Sequence, residues 1–112
     1  MTDQSSLVHQ HCVPCEGGTA PLTKEEYQVY LPQVATWTIT RDEKRIEKEF
    51  SFKSFSECVA FINAVAKLAE IEGHHPDLCL HDFKQVNVSL WTHAINGLSI
   101  NDFVLATKID QL

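Results

Sequence analysis

The 112-residue chain has no apolar run approaching the ~20 residues that cross a bilayer. Its polar first six residues also lack the charged and apolar regions of a secretory leader. A soluble cytoplasmic protein is the expectation. Positive charge is scarce as well: nine Lys and Arg stand against fifteen Asp and Glu, for a net charge of −6. The one loose basic group, Lys44, Arg45 and Lys48, is interrupted by Glu43, Glu47 and Glu49. Binding along a phosphate backbone needs a basic face, so neither nucleic acid nor a membrane is an expected partner. The cysteines, Cys12, Cys15, Cys58 and Cys79, are too few and too unevenly placed for a disulfide framework, which points to a reducing compartment. Repeats and low-complexity segments are also missing, and the length suits one domain around one core.

Residues 1–21 are polar or small and broken by Pro14, Gly17, Gly18 and Pro21, which reads as an irregular, exposed N-terminal arm. Its removal is expected to leave folding and activity intact. Within it His9, His11, Cys12 and Cys15 could supply four zinc ligands. Common structural zinc sites draw ligands from two separated knuckles, so the expectation is an arm without metal.

Residues 22–112 then read as a single domain. Thr23-Lys24-Glu25-Glu26 fits a capping box opening a helix from Lys24 to about Leu31, ended near Pro32. Trp37, Ile39, Ile46, Phe50 and Phe52 alternate with polar residues around Arg41-Asp42-Glu43-Lys44, the pattern of a β-hairpin with one buried face. Lys48 breaks the inward row, and a packed stem with its ammonium near an edge is expected. Ser54-Phe55-Ser56-Glu57 fits a second capping box for a helix from Phe55 to about Glu72. Its stripe is Phe55, Val59, Ile62, Ala66 and Ala69, widened by Cys58, Phe61, Val65 and Leu68. Gly73 sits where a left-handed C-cap would turn the chain. Leu78 and Leu80, then Val86, Val88 and Leu90, predict a second hairpin whose last strand ends at Thr92-His93. Ser99 caps a final helix carrying Phe103, Leu105, Ala106 and Ile109. The order α-β-β-α-β-β-α gives an α+β fold, a four-stranded antiparallel sheet with helices on one face. Two exposed sheet edges and the wide apolar helix face predict a homo-oligomer.

Four of the six histidines fall between Glu70 and His93, and three of them lie at element boundaries. His74-His75 leaves the end of the long helix and His93 leaves the last strand, so both can reach one rim. Asp102, in the first turn of the last helix, is the nearest acid after His93 and could fix the tautomer of an imidazole.

These residues resemble a family. Glu70-x-x-x-His74-His75-Pro76, Phe83, His93 after Thr92, and Asp102 after Gly97-Leu98-Ser99 are similar to the signature of the pterin-4a-carbinolamine dehydratases. The likeness extends through Leu22-Thr23, Glu25-Glu26, Trp37 and Phe50-x-Phe52-x-x-Phe55, covering residues 22–112. The resemblance implies dehydration of the 4a-carbinolamine of tetrahydropterin to the quinonoid dihydropterin, recycling the cofactor of an aromatic amino-acid hydroxylase. It implies His74, His93 and Asp102 as catalytic residues and His75, Glu70, Thr92 and Pro76 as substrate-binding residues. It implies no metal or organic cofactor, and a homodimer or homotetramer. The alternative is an interaction module without turnover, since animal members also act as dimerisation partners of a transcription factor. Trp91 departs from the pattern, standing where the animal proteins have a small hydroxyl residue.

Overall fold

The computed structural model describes residues 7–13 and 20–112. Thr23 opens α1 (Lys24–Tyr27) with both halves of its capping box: the hydroxyl accepts from the Glu26 N–H and the Glu26 carboxylate from the Thr23 N–H. The α-helix stops short of Leu31, tightening into a 3-10 helix over Gln28–Val34 that contains Pro32. Pro32 has no N–H to give and its ring crowds the carbonyl four residues back, so α geometry cannot run through it.

Strands β1 (Thr38–Thr40), β2 (Arg45–Ser51), β3 (Asp77–His81) and β4 (Gln85–Leu90) form one antiparallel sheet in the order β1-β2-β4-β3. The α+β architecture and its two hairpins agree with the residue pattern. Register puts Ile46 opposite Leu90 and Phe50 opposite Val86, while Leu78 and Leu80 face Val88 and Val86 from the other side. Lys48 occupies the inner row opposite Val88. Its ammonium reaches Asp110 at 2.7 Å and lies 4.6 Å from the centre of the Phe50 ring. The Trp37 indole N–H donates to the second Asp110 oxygen at 3.0 Å, so the end of the last helix satisfies both groups.

The long helix α2 (Phe55–Glu72) has the expected bounds. Only half of its capping box forms: Ser54 accepts from the Glu57 N–H, but the Glu57 carboxylate accepts from the Lys53 N–H. The buried stripe is Cys58, Phe61, Val65 and Ala69, whereas Phe55 and Val59 of the expected stripe are 55% and 38% exposed. Two apolar arcs compete on this helix, and the arc carrying Phe61 wins because its ring packs on Phe50 of β2 and on Phe52 just beyond it, 4.7 and 5.0 Å away. Gly73 ends α2 at φ +68°, a left-handed position that costs a side-chain-bearing residue about 1–2 kcal/mol.

The last strand ends at Leu90, not at Thr92-His93. Its partner β2 begins at Arg45 and its partner β3 at Asp77, which pairs with Ser89, so no strand remains to pair beyond Leu90. Thr92 instead bridges Gly97, and His93–Ile95 forms a 3-10 turn. A Cβ on Gly97 would lie 2.6 Å from the Pro21 Cβ, so this loop closes only around a glycine. Helix α3 (Ile100–Ile109) is buried along nearly its whole length, with Phe103 against Tyr27 and Tyr30 at 6.2 and 5.4 Å.

The described part of the N-terminal arm is irregular apart from one 3-10 turn at 7–9, but it is not loose. Leu7 is fully buried in the core and its N–H donates to Gln33 Oε1 at 3.0 Å. Cys15, the fourth member of the His9, His11, Cys12 set, lies outside the described residues. Deleting residues 1–21 is therefore expected to destabilise the domain, because losing a buried leucine costs about 2–5 kcal/mol. A thermal melt checks this: an unchanged midpoint in the deletion would restore the reading of a dispensable tail.

Candidate active site

Three local devices deliver the histidines and Asp102. The left-handed turn at Gly73 takes the chain off α2, its N–H and that of His74 both donating to the Ala69 carbonyl at 2.8 and 3.2 Å. His74 and His75 follow directly. The end of β4 delivers Trp91, Thr92 and His93. The capping box of α3 delivers Asp102, whose carboxylate accepts from the Ser99 N–H at 3.0 Å.

Asp102 is fully buried. One of its oxygens lies 2.6 Å from His74 Nε2, and the other accepts from the Thr92 hydroxyl at 2.8 Å. Thr92 is itself buried and joined to the Ser99 hydroxyl at 2.7 Å. With Nε2 committed to the carboxylate, Nδ1 of His74 is left as the nitrogen able to exchange a proton. The expectation that Asp102 fixes an imidazole thus falls on His74, 28 residues earlier in sequence.

His74, His75, Trp91, Thr92 and His93 line one cavity of about 330 Å³, together with Val13 and Asn101. His75 sits towards solvent, its Nε2 2.7 Å from Glu70 Oε2, with the two side chains 60% and 76% exposed. Glu70 supports His75 from outside the lining, and Pro76 also stands outside it. The His93 ring stacks on Trp91 at 4.2 Å. Over the same indole lies the Arg45 guanidinium, 4.7 Å from its centre and anchored to Asp77 at 3.0 Å and Ser89 at 3.2 Å. His93 is therefore held by ring contact, where His74 is held by a carboxylate.

Val13, Gly73, Trp91, Ala94 and Asn101 line the cavity without having been named as site residues from the sequence. Asn101 carries a weak signal, since it precedes the capping Asp102. Val13 carries none, because it comes from the arm, 88 residues from the Asn101 side chain it meets. Glu72, at the last position of α2, receives the arm behind the histidine pair: its oxygens accept from the Cys12 N–H at 2.9 Å and meet His11 at 3.2 Å and Lys108 at 3.5 Å. Burial works to raise the Glu72 pKa, but the Cys12 N–H, His11 and Lys108 together hold it below the ordinary carboxylate range.

Residues 20–112 match the family model for pterin 4 alpha carbinolamine dehydratase. A Chlorobaculum tepidum protein is 44% identical, over 96% of this chain and 98% of its own length. One from Legionella pneumophila strain Lens is 48% identical, over 96% of each chain. Both are named, provisionally, pterin-4-alpha-carbinolamine dehydratases. Among solved structures, a transcriptional coactivator/pterin dehydratase from Brucella melitensis superposes with a TM-score of 0.74 at 31% identity, covering 81% of this chain and 96% of that one. A pterin dehydratase-like protein described as a RuBisCO assembly factor of the alpha-carboxysome gives 0.58 at 25% identity, over 68% of this chain and 87% of that one. With a family model spanning the whole domain and full-length relatives at this identity, the chain belongs to the pterin 4 alpha carbinolamine dehydratase family.

Proposed function

We propose that this chain, through its domain at residues 22–112, converts 4a-hydroxytetrahydropterin into quinonoid dihydropterin and water. The observation that carries the reading is the convergence of His74, bonded to the buried Asp102, and a second imidazole, His93, on one cavity of about 330 Å³. The reaction removes the N5 proton and expels the 4a-hydroxyl as water, leaving a C4a=N5 double bond. One base and one acid suffice, and each positioned group contributes ~10²–10⁴-fold. His74 and His93 are the acid–base pair. In His74 the Nδ1 atom moves the proton, while Asp102 stabilises the cationic ring that results. His75, with Glu70 behind it, binds the pterin at the open side. Thr92 keeps Asp102 in place, and Pro76 sets the course of the chain after the histidine pair. The substrate then comes from an aromatic amino-acid hydroxylase, and the chain acts in the cytoplasm. Among the described residues no helix is long and apolar enough to cross a membrane.

Stopped-flow mixing with freshly generated 4a-hydroxytetrahydropterin tests the reading. Turnover above the uncatalysed rate is expected, and its absence would leave an interaction module that kept the fold.

Homo-oligomerisation belongs to the same reading. The outward arc of α2 leaves Phe55, Val59 and Ala66 exposed, and β1 and β3 are both open sheet edges. Light scattering at micromolar concentration is expected to give a multiple of 12.7 kDa. A particle of monomer mass alone would contradict it.

A further inference from the structure

We infer that the arm segment ending at Val13 is a wall of the substrate cavity, held there by Asn101 and Glu72, and that Val13 sets the fit of the pterin. The inference rests on the proposed dehydratase reading and goes beyond it, because residues 7–13 precede the stretch that matches the family model.

The geometry is that of a built attachment. The Asn101 side chain grips the Val13 backbone from both sides: its Oδ1 accepts from the Val13 N–H at 2.9 Å, and its Nδ2 donates to the Val13 carbonyl. One residue earlier, Cys12 gives its N–H to Glu72 and sets its sulfur 3.6 Å from the Asn101 carbonyl. Further back, Lys108 donates to the Val8 carbonyl at 3.0 Å, and Leu7 is buried in the core. Both anchors adjoin the machinery. Glu72 lies two residues before His74, and Asn101 lies one residue before Asp102. The arm thus spans the two elements that supply the His74–Asp102 pair, and it leaves Val13, 57% exposed, in the cavity lining. A side chain there meets the bound ligand in ground and transition states alike, so its changes belong in KM.

The test uses the full chain with 4a-hydroxy-6-methyltetrahydropterin in stopped flow, and amide exchange of Cys12 and Val13. Because Val13 is exposed, Val13→Trp is expected to leave the melting temperature unchanged. It narrows the cavity and is expected to raise KM roughly tenfold, a typical effect of pocket volume on specificity, with kcat kept within about twofold. Glu72→Ala, outside the cavity lining, is expected to speed exchange at both amides and to raise KM in the same direction. Wild-type turnover with KM unmoved in Val13→Trp would overturn the inference alone. A wild-type chain that neither binds nor turns over the pterin would remove the dehydratase reading and this inference with it.

Discussion

Replacing His74 or His93 with alanine is expected to lower kcat by about 10²–10⁴-fold while leaving the fold intact. Neither imidazole supports the core: His93 is exposed, and His74 closes onto the cavity with its Nε2 on Asp102. The double variant should lose less than the product of the two single losses, because acid and base serve one event and either loss disables it. His75→Ala should raise KM and spare kcat, as suits a group that rests on the exposed Glu70 and binds both states of the ligand. His81→Ala is the control. It lies in β3, bonded to Glu49 and Asp82 and remote from the cavity lining. Single-turnover kinetics measured against the fast uncatalysed reaction decide the matter. Full activity in both His74→Ala and His93→Ala would end the acid–base assignment.

The second large effect is expected at Asp102, where activity and stability can be separated. Asp102→Ala removes the acceptor shared by the Ser99 N–H, the Thr92 hydroxyl and His74. Stranding partners at a fully buried position costs about 3 kcal/mol or more, and a lower melting temperature should accompany lost activity. Asp102→Asn keeps the size and an oxygen for the Ser99 N–H. Its amide nitrogen, however, is a donor. Turned towards His74, it would favour the tautomer that carries the hydrogen on Nδ1, and the group needed for proton transfer would be blocked. The expected result is kcat reduced by roughly 10–10²-fold, the scale found when a partner that orients a histidine is lost, with near-native stability. A shifted limb in the pH–rate profile should accompany it. An Asp102→Asn enzyme with wild-type kcat and pH profile would show that the carboxylate only caps α3.

Much of this protein was legible because it is local. Thr23, Ser54 and Ser99 open the helices where their side chains find free backbone N–H groups, and Gly73 closes α2 where only a residue tolerant of positive φ fits. The alternation through Ile46, Phe50, Val86, Val88 and Leu90 determined two hairpins and which side of each faces the core. The histidine cluster likewise pointed to the cavity that His74, His75 and His93 line together. What the sequence by itself left open depended on partners distant along the chain. Both arcs of α2 are apolar, and only the position of Phe50 and Phe52 decided that Phe61 turns inward and Val59 outward. The extended stretch was expected to run to Thr92-His93, yet β4 stops at Leu90 because the neighbouring strands begin at Arg45 and Asp77. Asp102 could serve either imidazole on sequence grounds; packing of α3 against the end of α2 gave it to His74. The arm has no periodicity to read, and its place follows from a buried Leu7 and from hydrogen bonds to Asn101 and Glu72 that span 60 and more residues. Caps and alternation are contacts a few residues long and are written in the order of the residues. The choice between equivalent faces, strand ends and hydrogen-bond acceptors is made by whichever distant group packing brings within about 3 Å, and only the tertiary structure decides that.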